Sequence, residues 1–133
     1  MKNNSNVSAL RKVSVFFAKI LALYASVVHV FGMLMTEVPG VNIGIVIHFG
    51  MVVALLGLAA LTQWATHYSF VRTVCWGLAS TAMVFSVRQL WRNLTYDNDP
   101  QWLGVQFGVL ELSVIAILAW HIRARYAWKG ESA

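Results

Sequence analysis

Apolar positions in this chain gather into four long runs instead of alternating with polar ones. The runs extend over about 13–36, 42–64, 71–92 and 101–126. Each holds at least about 20 residues, and at about 1.5 Å per residue that length crosses the roughly 30 Å of hydrocarbon in a bilayer. A spanning segment must satisfy its own backbone groups, and barrel strands would be shorter and would alternate, so the runs predict helices. Glu37, Pro39 and Gly40 break the first run from the second, Thr66 to Ser69 the second from the third, and Asn93 with Asp97, Asn98, Asp99 and Pro100 the third from the fourth. Connections this short favour an all-α membrane protein with four transmembrane helices in an up-down-up-down antiparallel bundle. There is no internal repeat, so residues 1–133 read as one membrane domain. Residues 1–10 are polar and Asn/Ser-rich, and are expected to fray or lie at the membrane surface. The first run is too long for a signal core, carries Lys19 and lacks a small-x-small site, so it reads as a retained helix.

Composition agrees with the pattern. Of 133 residues, 59% are apolar and 11% charged, with mean hydropathy +0.65, which excludes an ordinary water-soluble enzyme. The net charge of +5 is explained by orientation better than by nucleic acid, because the basic residues sit at the ends of the runs. Lys2, Arg11, Lys12, Arg72, Arg123, Arg125 and Lys129 share one side, whereas Glu37, Asp97 and Asp99 face Arg92 alone on the other. The positive-inside rule therefore places both termini in the cytoplasm. Trp64, Trp91, Trp102, Trp120 and Trp128 lie near helix ends, where aromatic belts form. A lone cysteine, Cys75, excludes an internal disulfide and any multi-cysteine metal site.

Interior charges are the first candidates for chemistry, since each costs roughly 2.5–3.5 kcal/mol near the bilayer centre even on insertion scales. Lys19, Arg88 and Glu111 qualify. Arg88 lies about 7 Å and Glu111 about 13 Å from the outer ends of their helices, a gap that an arginine side chain spans. An Arg88 to Glu111 contact is therefore expected, with Lys19 snorkelling to the inner surface. Gly104 and Gly108 share a face with Glu111, and Gly50, Ala54 and Gly57 make a similar face on the second helix. Both faces suit close helix approach. His29 and His48 come to matching depths across the first loop, close enough for their side chains to touch, whereas His67 and His121 sit at the inner boundary. An alternative reading makes His29 and His48 the ligands of a haem b in a respiratory membrane anchor. H-E-x-x-H, G-x-S-x-G, phosphate loops and paired membrane carboxylates are all missing, so no catalytic residue, cofactor or metal is assigned.

Three stretches carry a more specific likeness. Leu21 to Leu34, LALYASVVHVFGML, resembles the first helix of the small four-helix (Q-type) unit of TRAP transporters, in the TAXI branch. Asn42 to Gly57, NIGIVIHFGMVVALLG, is similar to the I-H-L segment that opens that unit's second helix, with His48 on the family histidine. Tyr96 to Asp99, then Gly104 or Gly108, then Val109, Leu110 and Glu111, resemble the Tyr, Asp, Gly and L-E pattern around the fourth helix. The chain departs from that pattern at Phe49, in lacking the arginine before the histidine, and at Leu112, Ser113 and Val114 where an arginine pair is common. The resemblance implies a non-enzymatic scaffold subunit in a bacterial inner membrane. Its implied partners are a large elevator-type membrane subunit, a periplasmic solute-binding protein and phospholipids at the subunit seam, in ion-coupled uptake of organic acids. Glu37 and Tyr96 to Asp99 would then face the docked binding protein.

Overall fold

The computed structural model describes residues 2–35, 43–95 and 101–132, with side chains described for 6–35, 43–95 and 101–124. Four helices form: α1, Lys2–Leu34; α2, Ile43–Ala65; α3, Ser69–Thr95; and α4, Trp102–Ser132. All four contain stretches long and apolar enough to cross a membrane, so the chain is a multi-pass membrane protein of the all-α class. Glu37 and Tyr96 to Asp99 lie outside the described residues, as do the side chains of Lys2, Arg125, Trp128 and Lys129.

The start of α1 differs from the sequence expectation. Residues 2–10 continue the helix instead of fraying, because they contain neither Gly nor Pro and nothing in them interrupts the backbone ladder. At 33 residues α1 is about 50 Å long, more than hydrocarbon thickness requires. α2 and α3 are joined by only Thr66, His67 and Tyr68, where the amides of His67 and Tyr68 both donate to Trp64 O at 3.0 Å.

Neighbouring helices run antiparallel. Position 50 of α2 meets Phe85 of α3 and position 57 meets Leu78, and positions 104 and 108 of α4 meet Asn93 and Leu90 of α3. The helices pack in the ring order α1, α2, α3, α4, and α2 also meets α4 across the middle. Side-chain volume accounts for that diagonal. The buried apolar positions of α1 are Val15, Ala18, Ala22 and Ala25, and those of α3 are Cys75, Ala79 and Ala82. α2 and α4 bring the bulk: Met51, Leu55 and Leu58 against Ile115, Leu118 and Ile122. Buried positions on each helix recur at alternating spacings of three and four, the period that keeps one seam turned inward along nearly aligned helices.

The exterior is the reverse of a soluble protein's. Phe16, Leu23, Phe31, Phe70 and Leu103 are all exposed, which suits lipid as the solvent. Trp64, Trp91, Trp102 and Trp120 are exposed as well. Because lipid tails are as apolar as leucine, the seam is held by close packing and by hydrogen bonds between helices more than by the hydrophobic effect.

Candidate functional site: a four-helix polar chain

The inward seam changes character toward the end of the bundle where α1 and α3 finish and α2 and α4 begin. On α1 the spacing 18, 22, 25 continues to His29, and on α2 the series 58, 55, 51 continues back to His48. On α3 the series 75, 79, 82 reaches Ser86, and on α4 the series 122, 118, 115 reaches Glu111. One polar residue thus arrives from each helix at neighbouring levels. His48 sits five residues inside the start of α2, about 7 Å, and Glu111 nine residues inside α4, about 13 Å, so the set slopes inward.

These four side chains form one connected chain. His48 Nδ1 and His29 Nδ1 are 2.8 Å apart, with one nitrogen donating and the other accepting. His29 Nε2 donates to Glu111 Oε1, joining α1 to α4 through the bundle centre. Ser86 Oγ donates to Glu111 Oε2 at 2.9 Å. Glu111 is 3% exposed, His29 6% and Ser86 1%, so water does not share these bonds, while His48 is half-buried. An ionisable pair placed this deep is stabilised only when its remaining oxygens and protons are also bonded, and here Ser86 and His48 complete it.

Two further residues shape the site. Phe107 presents its ring to His29 with centroids 5.6 Å apart at 60°, covering the imidazole from α4. Gly32 lets the α1 backbone pass against His48: a Cβ there would lie 2.9 Å from Cε1 and 3.0 Å from Nε2 of the imidazole.

The expected Arg88 to Glu111 contact does not form. Ser86 is on the inward seam, and Arg88, two residues on, points about 200° around the helix, so it is exposed. The depth difference that an arginine was expected to span is bridged instead by the imidazole of His29. Lys19 is half-buried beside Ala18 and forms no ion pair with a described carboxylate. Gly104 and Gly108 mark the close approach of α4 to α3: a Cβ at 104 would lie 2.5 Å from Asn93 Nδ2, and one at 108 would lie 3.2 Å from Leu90 Cδ1. The haem arrangement does not fit. Two metal–imidazole bonds of about 2 Å need roughly 4 Å between nitrogens, and 2.8 Å leaves no place for an iron or a macrocycle.

Reasoning from sequence missed Ser86, Gly32 and Phe107. The three-four spacing from Cys75 through Ala79 and Ala82 was the available signal for Ser86. Toward the other end of the bundle the buried seam is mostly apolar. Thr62 donates to Leu58 O and Ser26 to Ala22 O, each within its own helix, and Leu58, Ile115, Leu118 and Ile122 fill the centre. The polar chain therefore stops at Glu111 and Ser86.

At its outer end the chain meets a cavity of about 440 Å³, bordered by His48, Ile47, Gln89, Arg92, Asn93 and Gln101. The Gln101 amide donates to Asn93 O at 2.8 Å, fixing the start of α4 against the end of α3 along this cavity. Comparison of the chain with protein-family models, with curated proteins and with solved structures finds no match.

Proposed function

We propose that this chain is a non-catalytic scaffold subunit of a secondary transporter, of the kind the TRAP/TAXI resemblance implies. Its role in that reading is to brace a large elevator-type membrane subunit during ion-coupled uptake of organic acids. A sliding transport domain needs a counterpart that stays in place, and a bundle whose helices are pinned to one another supplies it. The observation that carries the reading is the polar chain itself. It takes one residue from every helix, satisfies both oxygens of the buried Glu111 carboxylate, and ends against an apolar plug of Leu58, Ile115, Leu118 and Ile122. A solute path would need polar groups at mid-depth that continue to both faces, and broken helices there.

In this reading the protein lies in the bacterial inner membrane with both termini cytoplasmic, and the exposed apolar faces of α1 and α4 meet the large subunit and intervening phospholipids. A periplasmic solute-binding protein docks at the loop end. The test is purification of the tagged chain in mild detergent from its native membrane, followed by reconstitution. The expected outcome is a fixed-ratio complex with a many-span carrier whose uptake is lost when this chain is removed. Solute movement by the isolated chain, or a Soret band that depends on His29 and His48, overturns it.

A further inference from the structure

The cavity above His48 is not used by a bracing role, and its lining has a definite chemistry. Arg92 is a permanent cation, and Gln89, Asn93, Gln101 and His48 can all donate hydrogen bonds. No described carboxylate pairs with Arg92, and neither α2 nor α4 carries an acid in its first turn. Glu111, the buried acid among the described residues, is held directly by His29, which lies between it and His48. At about 440 Å³ the space is in the range of small-ligand sites.

His48 joins this cavity to the buried chain, and the proton count along the chain sets what His48 offers. With Glu111 ionised, His29 donates from Nε2 to the carboxylate and accepts at Nδ1 from the Nδ1–H of His48. Both imidazoles are then neutral, the set carries one negative charge, and Nε2 of His48 is an acceptor. One proton taken from solvent onto His48 turns Nε2 into a donor. Its positive charge is shared with His29, because moving the bridging hydrogen between the two Nδ1 atoms leaves the number of protons unchanged. The charged and titratable groups around His48 are His29 from α1 and, through His29, Glu111 from α4, while Arg92 from α3 borders the same cavity.

We infer that the cavity is a proton-linked site for a small oxyanion, a carboxylate or a phosphate group. The anion is held by Arg92 and by the protonated form of His48, and one proton enters the His48–His29–Glu111 chain as it binds. The inference does not depend on the bracing role and stands or falls separately from it.

The test uses the full chain in nanodiscs of zwitterionic lipid, titrated calorimetrically with sulfate, which holds a constant charge between about pH 5.5 and about pH 8 where histidine titrates. The expected result is binding that weakens by up to about tenfold per pH unit, the slope of a single linked proton, with heats that vary with the buffer's ionisation enthalpy. R92Q, at an exposed position, loses at least about tenfold in affinity, the size of one charge-assisted contact. H48Q keeps some binding but loses the pH slope. A second arm adds phosphatidylglycerol to the discs. Competition with sulfate that disappears in R92Q identifies a lipid phosphate as the anion, and no competition identifies a soluble one. Equal sulfate affinity in R92Q, or a wild-type affinity independent of pH, or an unchanged slope in H48Q, overturns the inference.

Discussion

The two halves of this bundle are held together by different physics. Toward the termini, Leu58, Ile115, Leu118 and Ile122 fill the seam between the small residues of α1 and α3, and each contact is non-directional. Toward the loops, His48, His29, Glu111 and Ser86 occupy the same seam, and each contact needs one particular polar partner at hydrogen-bonding distance. In lipid the first kind tolerates repacking, because a side chain leaving the seam finds a solvent as apolar as the one it left. The second kind does not, because an unmade hydrogen bond has no water to replace it. Packing gives the terminal half its density, and bonding gives the loop half its register.

The sharpest way to break this contrast is Glu111→Ala. It strands the donors of His29 and Ser86 together, and the expected loss is roughly 3 kcal/mol in a reversible detergent-unfolding measurement. Should it cost no more than truncation in the apolar half, the division fails. Gly32→Ala comes next, at about 1–3 kcal/mol, because the new methyl meets an imidazole that its bond to His29 prevents from turning away. Loss of the His29–His48 coupling in imidazole ¹⁵N spectra is its signature. Leu58→Ala tests the other half. The expected cost is about 1–2 kcal/mol, below the usual aqueous value, because only the packing part of the penalty survives in lipid. Finest of all is the pair Ser86→Ala and Arg88→Gln. The first removes one interhelical bond, worth about 0.6 kcal/mol in membrane proteins, and the second, at an exposed position, changes stability by less than about 0.5 kcal/mol. A larger effect at Arg88 than at Ser86 in the same unfolding assay reverses the assignment of α3's inward face.

The fold was legible because each helix announces itself by length and composition, signals that survive without knowledge of neighbours. The site was legible in part. His29, His48 and Glu111 stood out as polar residues inside apolar runs, and the short first loop put the two histidines at one depth. Their pairing was harder to read. Depth alone made Arg88 the natural partner of Glu111, because depth ignores rotation about the helix axis, and two residues of offset turn a side chain to the opposite face. Ser86 was hidden for a related reason: a serine in an apolar run is unremarkable until its position on the seam is known. Gly32 carries no signal at all without the ring that lies against it. On α1, the expectation that residues 1–10 fray or lie at the membrane surface took polar composition as a break, although over residues 2–10 Asn and Ser only weaken a helix that nothing else stops.

The order in which the four members of the polar chain are made follows from their order along the polypeptide. Synthesis proceeds from the N-terminus. His29 and His48 are therefore in place with the first hairpin and Ser86 with the next helix, while the carboxylate that links them arrives last, on α4. Until then a histidine waits in the membrane without its acid, and the arriving glutamate must find it to be stable there. The polar chain is in this way completed only with the last helix, and a chain halted before α4 leaves Nε2 of His29 without its carboxylate.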